Sequence, residues 1–159
     1  PKQTSGLAST SWYYSQKDSS WGNMTIGNTS LIMSNYGCVV TGCATILSYY
    51  LKREITPKEF LDYCNHNHGF TWDGLLYWAM VTKFSGGKLR FSYSVNPKKG
   101  ETVYGIRKVN IFRGHWVTDY NVMPQGANKI IDPLTGTVLP YDTYKNQYAG
   151  LNRFFIGKQ

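Results

Sequence analysis

The stretch GCVVTGCATILSYYL, residues 37–51, decides the fold that we expect. Its apolar residues recur every three or four positions and cover most of the circumference of a helix, which predicts a largely buried α-helix. Cys38 lies in the first turn of that helix. The N–H groups at a helix N-terminus stabilise an anion, so this position favours the thiolate form of a cysteine. The stretch therefore predicts both the centre of the core and a nucleophile.

The residues that follow predict an α+β order. Thr56 suits the N-cap of a second helix, with Pro57 at its first position, Glu59 closing a capping box and an end near Cys64. A third helix is expected from residues 71–73 up to the glycine pair at 86–87. Alternating apolar residues predict strands at 89–95, 104–112, 116–121, 129–131 and 153–156, with turns at 124–126 and 133–136. We expect a single domain over residues 11–159, in which N-terminal helices pack on a C-terminal antiparallel sheet.

Composition and charge exclude several classes of protein. The chain has 159 residues, of which 42% are apolar and 16% charged, which excludes a disordered tail or a coiled coil. Its apolar runs are far shorter than the roughly 20 residues of a membrane span, so no membrane span is expected. The net charge of +8 favours an anionic partner such as a cell-wall polymer. The basic residues form no patch or stripe, so no nucleic-acid partner is expected. Residues 1–10 are small and polar, and we interpret them as a linker remnant of a longer polypeptide.

The cysteines do not form a disulfide framework or a metal site. Cys38, Cys43 and Cys64 are an odd set, so at least one thiol is free in a monomer. Cys43 lies on the core face of the first helix, where packing is its expected role. The spacing Cys64-x-His66-x-His68 fits no common zinc template. We therefore expect no metal and no cofactor.

A nucleophilic cysteine needs a base, and the base needs an orienting group. Of the three histidines, His115 alone begins a predicted strand, directly after a turn. If residues 116–121 pair with residues 129–131, Asp132 lies near the start of the first strand, because cross-strand Cβ atoms are about 5 Å apart. Each residue also has a structural interpretation: Cys38 as a small core residue, His115 as a structural histidine and Asp132 as a turn former before Pro133. Only the combination points to catalysis.

Four ordered motifs resemble the C39-like branch of the papain-like cysteine peptidases, the bacteriocin-processing type found in bacterial secreted and phage cell-wall proteins. They are YYSQKDSSWG at residues 13–22, the S-x-x-G-C-x-x-T-x-x-A-x-x-L pattern at 34–47, ITP at 55–57, and GHWV at 114–117 followed by IDP at 131–133. The resemblance implies a papain-like cysteine peptidase fold. It makes Cys38 the nucleophile, His115 the general base and Asp132 its orienting group. Gln16 would contribute its side-chain amide to an oxyanion hole beside the Cys38 backbone N–H.

The chain also departs from the family pattern. Val39 and Val40 replace the usual Gly-Pro after the cysteine, which narrows the approach to the thiol, and Gly42-Cys43 replaces Ser-Leu. Asp119 is a second candidate for orienting the base.

The expected function is hydrolysis of amide bonds, with a peptide or the peptidoglycan of a cell wall as substrate. The resemblance places such a module in a phage or secreted protein, so an extracellular or virion-associated location is expected. Two alternatives stay open at this point. One is a catalytically inactive wall-binding module, whose aromatic residues stack on sugars, and the other is a leader-peptide-processing peptidase.

Overall fold

The computed structural model describes residues 11–120 and 128–159, and within them it contains four α-helices and a six-stranded antiparallel sheet. The helices are α1 Met33–Tyr36, α2 Cys38–Leu51, α3 Pro57–His66 and α4 Ala79–Phe84. The strands are β1 Arg90–Ser92, β2 Glu101–Val109, β3 His115–Asp119, β4 Lys129–Asp132, β5 Thr137–Pro140 and β6 Tyr148–Lys158, with a 3₁₀ helix at Tyr141–Tyr144. The sheet order is β1-β6-β2-β3-β4-β5.

The α+β order, with helices before an antiparallel sheet, is confirmed. The expected linker at 1–10 and the turn at 124–126 lie outside the described residues.

Helix α2 is the buried helix that the sequence predicts, and two glycines set its position. A Cβ on Gly37, the N-cap residue, would lie 2.6 Å from the Met33 carbonyl oxygen, so only glycine fits there. A Cβ on Gly42 would lie 2.7 Å from the Thr118 Oγ1 on β3 and 3.3 Å from the Ile106 Cδ1 on β2. Because Gly42 has no side chain, α2 lies directly against β2 and β3. This contact fixes the start of α2 relative to β3.

Helix α3 begins as predicted. The Thr56 Oγ1 accepts a hydrogen bond from the Glu59 backbone N–H at 3.1 Å, and Pro57 occupies the first helical position. The Glu59 carboxylate pairs with Arg53 at 3.1 Å instead of folding back to close the capping box. That half of the expected box is wrong, because a guanidinium lies within its reach.

The expected start of the third helix at residues 71–73 is also wrong, since α4 begins only at Ala79. Thr71 exchanges local hydrogen bonds with Leu75: the Thr71 N–H donates to the Leu75 carbonyl at 2.8 Å, and the Leu75 N–H donates to the Thr71 Oγ1 at 2.9 Å. Gly74 has a φ of 89°, which no helix contains. These turn contacts use the backbone groups that a helix would need. The segment forms instead a small loop closed by a bridge between Phe70 and Leu76.

The strands differ from the predicted ones mainly in length. Strand β2 ends at Val109, where the chain turns through a hydrogen bond from the Gly114 N–H to the Ile111 carbonyl. Strand β6 is 11 residues long, well beyond the predicted 153–156. Strand β5 and the 3₁₀ helix were not predicted from the pattern. The antiparallel pairing of β3 with β4, on which the predicted site depends, is present, with Thr118 opposite Ile131.

Candidate active site

Cys38 is the cysteine at the mouth of a cleft. It opens α2, whose N-cap residue Gly37 makes no side-chain cap, so no side chain competes for the first N–H groups of the helix. Cys38 is 8% exposed, whereas Cys43 and Cys64 are fully buried. Burial raises the pKa of the Cys43 thiol well above its usual value and that of Cys64 to about 12. The two buried cysteines are therefore held as neutral thiols, as the sequence predicts for Cys43.

His115 lies between Asp132 and Cys38. Its Nε2 is 2.6 Å from the Asp132 Oδ1, and both side chains are buried. Side chains alternate along β3, and the β3–β4 register puts Asp132 opposite Val117, on the face that His115 also occupies. Because Nε2 is bonded to Asp132, Nδ1 is the ring nitrogen left for the Cys38 thiol, with which the ring makes a side-chain hydrogen bond. The structure thus brings the three predicted residues together in the predicted order.

The charges of this group favour a protonated imidazole. Burial lowers the pKa of His115, but the hydrogen bonds to Asp132 and Cys38 and the attraction of both groups outweigh burial and raise it to about 9. Burial raises the pKa of Asp132, but hydrogen bonds from His115, from the Tyr144 hydroxyl and from the Leu134 N–H hold it below its usual value. The Leu134 N–H lies 2.9 Å from Oδ1, and the Tyr144 hydroxyl donates to Oδ2. A charged Asp132 beside an imidazolium is the stable arrangement.

Tyr144 is the site residue that sequence reasoning missed. It lies on the 3₁₀ helix and its ring meets the His115 ring edge-on at 6.5 Å between centroids. Nothing local in the sequence marks it, because its position depends on how strand β5 returns the chain to the β4 end. The sequence pattern did not predict strand β5.

Gln16 is buried and borders the same cleft as Cys38. Its backbone N–H donates to the Pro133 carbonyl at 2.7 Å, which ties it to the turn after Asp132. Its Nε2 donates one hydrogen to the Ser34 carbonyl at 3.0 Å. Within residues 11–120 and 128–159, the second Nε2 hydrogen and the Oε1 atom have no partner. One amide N–H of Gln16 is therefore left over in the cleft that Cys38 also lines, and its oxyanion role stays a prediction.

The cleft has a volume of about 590 Å³ and runs past Cys38, His115 and Gln16. Val39, which follows Cys38 in the chain, also lines the cleft. Phe112, which is 81% exposed, and Leu75 border the opening. Further apolar lining comes from short loops, from the first turn of α2, and from β3 and the turn after β4: Ile26, Leu31, Phe70, Leu76, Val40, Trp116, Leu134. Its volume lies within the range of ligand-binding clefts.

Asp119, the second candidate for orienting a base, has a different partner. Its carboxylate makes a two-pronged ion pair with Arg107, at 2.7 Å to Nε and 3.2 Å to Nη2. Burial raises the pKa of Asp119, and the Arg107 contacts offset part of that rise. Asp119 therefore links β3 to β2, whereas the carboxylate that contacts His115 is that of Asp132.

The remaining histidines lie away from the cleft. His66 and His68 are exposed at the end of α3, and the His66 Nδ1 lies 3.0 Å from the Asp62 carbonyl oxygen. Across the part of the chain that the structure describes, no group of three or more His, Cys, Asp or Glu side chains could hold a metal ion. None of the described helices combines the length and hydrophobicity needed to cross a membrane.

Compared with family models, with curated proteins and with solved structures, the chain matches none of them.

Proposed function

We propose that the chain is a papain-like cysteine peptidase that hydrolyses amide bonds through Cys38, His115 and Asp132. One observation carries the proposal: His115 bonds the buried Asp132 through Nε2 and faces, through its other nitrogen, a cysteine at a helix N-terminus. A cysteine kept only for packing needs neither a charged partner nor a cleft. The open cleft along Cys38 supplies the space that a substrate requires.

The chemistry follows from the proton positions. The Cys38 thiolate attacks the carbonyl carbon of the scissile amide and forms a C–S bond, and the carbonyl oxygen becomes an oxyanion. The second N–H of Gln16 and the Cys38 backbone N–H stabilise that oxyanion, a contribution of several kcal/mol in comparable sites. The C–N bond then breaks as the His115 imidazolium gives its proton to the leaving amine. Water, deprotonated by His115, attacks the thioester, and the departing thiolate regains an imidazolium partner.

The substrate class is the peptide part of a bacterial cell wall. A net charge of +8 concentrates the protein on anionic wall polymers, which brings the cleft to its substrate. Leu75 and Phe112, which line the cleft and are 64% and 81% exposed, are suited to contacts with sugar rings next to the peptide. A wall substrate implies an extracellular or virion-associated protein.

The test is digestion of purified peptidoglycan. We expect the wild-type protein to lower the turbidity of the walls and to release new amino and carboxyl termini, and iodoacetamide to stop both. Cys38→Ser should be inactive, whereas Cys64→Ala, which changes a cysteine outside the cleft, should keep the activity. A wild-type protein that releases no termini from walls or from a broad mixture of peptides contradicts the proposal.

The exposed side chains at the cleft support one alternative, an inactive wall-binding module. Phe112 is 81% exposed and Leu75 64%, and both line the cleft, so together they offer an apolar surface to a ligand. Such a module would be retained on walls without cleaving them, and Phe112→Ala would release it while Cys38→Ser would not. The digestion assay and a wall pull-down on the same samples separate the two functions.

A further inference from the structure

We propose that Tyr144 is a positioning residue of the site, acting on His115 through Asp132. The proposal deepens the peptidase function and rests on it. It stands on the hydrogen bond from the Tyr144 hydroxyl to the Asp132 Oδ2 and on the edge-on contact between the Tyr144 and His115 rings.

The Asp132 carboxylate has a defined set of donors. Oδ1 faces the His115 Nε2 and the Leu134 N–H, and Oδ2 faces the Tyr144 hydroxyl. A carboxylate that accepts bonds at both oxygens cannot rotate without losing one of them. Tyr144 therefore fixes the plane of Asp132, and with it the direction in which Oδ1 meets the imidazole.

The 3₁₀ helix that carries Tyr144 packs on the same face of the sheet as this pair. Tyr144 and its neighbour Tyr141 pack against the buried Val109, Val117 and Ile130. Its ring meets the His115 ring edge-on, with the ring centroids 6.5 Å apart. A phenylalanine at position 144 would keep this packing and remove only the hydroxyl.

Other titratable and charged groups also lie near the His115–Asp132 pair. Cys38 faces His115 from α2, Tyr148 faces Tyr144 from β6, and Lys17, Asp73 and Arg113 border the cleft. Removing the Tyr144 hydroxyl leaves all of them in place and takes one donor from Asp132. The carboxylate is then free to turn about its Cβ–Cγ bond, and Oδ1 is no longer held in line with the His115 Nε2. The imidazolium loses part of its hydrogen bond to Asp132, so the His115 pKa falls.

The experiment compares Tyr144→Phe with Tyr141→Phe, a matched control on the same 3₁₀ helix. The Tyr141 hydroxyl makes no hydrogen bond in the described part of the chain, and its ring stacks on Tyr148. Imidazole NMR titration reports the His115 pKa without any substrate. We expect a fall of about half to one unit in Tyr144→Phe and no change in Tyr141→Phe. The alkaline limb of the pH–rate profile should move by the same amount.

A second substitution keeps the test decisive if Tyr144→Phe folds poorly. Incorporation of 4-fluorophenylalanine at position 144 fills the space of the hydroxyl with an atom that donates no hydrogen bond, so the His115 pKa should fall as in Tyr144→Phe. An unchanged His115 pKa in both proteins overturns the role of Tyr144. Since the titration needs no turnover, that result is distinct from a failure of the peptidase function, which would show as absent hydrolysis in the wild-type protein.

Discussion

Replacing Gly42 by Ala tests how the fold sets the site. The new Cβ would lie 2.7 Å from the Thr118 Oγ1, about 0.7 Å closer than ordinary contact. Thr118 is β-branched and buried, so its side chain cannot swing away easily. Overpacking costs about 1–3 kcal/mol, whereas Ala in place of Gly favours the helix by about 1 kcal/mol. The expected result is a net loss of about 1 kcal/mol in the free energy of unfolding, measured by urea denaturation.

A second variant makes the test specific. The Thr118 Oγ1 has no hydrogen-bond partner within the described residues, so Thr118→Ala removes the clash without breaking a hydrogen bond. In that background Gly42→Ala should stabilise the protein, giving a coupling of about 1–2 kcal/mol between the two positions. Pushing α2 away from β3 also displaces Cys38 from His115, so the single Gly42→Ala variant should lose about tenfold to a hundredfold in hydrolysis. A stabilising Gly42→Ala in both backgrounds, with full activity, refutes the reasoning.

Three further predictions concern the site. Cys38→Ser should abolish hydrolysis and leave the circular dichroism spectrum unchanged. Cys43→Ala should lower the free energy of unfolding by about 1 kcal/mol or somewhat more and keep the turnover rate. Equal activity in both variants would contradict the assignment of Cys38 as the nucleophile. Asp132→Asn should lower the His115 pKa, because the imidazolium loses its carboxylate, and an unchanged value in the NMR titration would show that Asp132 does not act on the ring. The His115 pKa is raised to about 9 in the folded protein from about 6.5 in the unfolded chain, so protonated His115 stabilises the fold. This contribution is complete below about pH 6.5 and is lost as the pH rises through 9. Urea midpoints of the wild type and His115→Ala that fall in parallel over that pH range would exclude the contribution.

The parts of the fold that the sequence predicts well depend on local signals. The apolar spacing of residues 37–51 is strong enough to locate α2 almost to the residue, and Thr56-Pro57 marks the start of α3. The sequence singles out His115 and Asp132 because each lies at the end of a strand, next to a glycine or a proline. At such a position the turn determines the direction of the side chain. Local sequence is sufficient where a helix cap or a turn decides the conformation.

The parts that the sequence could not predict depend on distant contacts. The loop at residues 71–76 contains enough apolar residues for a helix. The hydrogen bond from the Leu75 N–H to the Thr71 Oγ1 and the left-handed conformation of Gly74 prevent that helix. Tyr144 contacts Asp132 only because β5 adds a strand at the sheet edge. The pairing of Asp119 with Arg107 reflects the β2–β3 register, and the pattern of one strand does not reveal its neighbour.

The central claim is that His115 activates Cys38, and competitive alkylation tests it most directly. Folded protein is treated with limiting iodoacetamide at about pH 6, where an unactivated thiol reacts slowly, and the alkylated cysteines are mapped by mass spectrometry. Cys38 should be modified far faster than Cys43 and Cys64, because those two cysteines are fully buried. His115→Ala should slow the Cys38 reaction at least tenfold and leave the reaction rates of the other two cysteines unchanged. Labelling of Cys64 before Cys38, or a Cys38 rate that His115→Ala does not change, would contradict it.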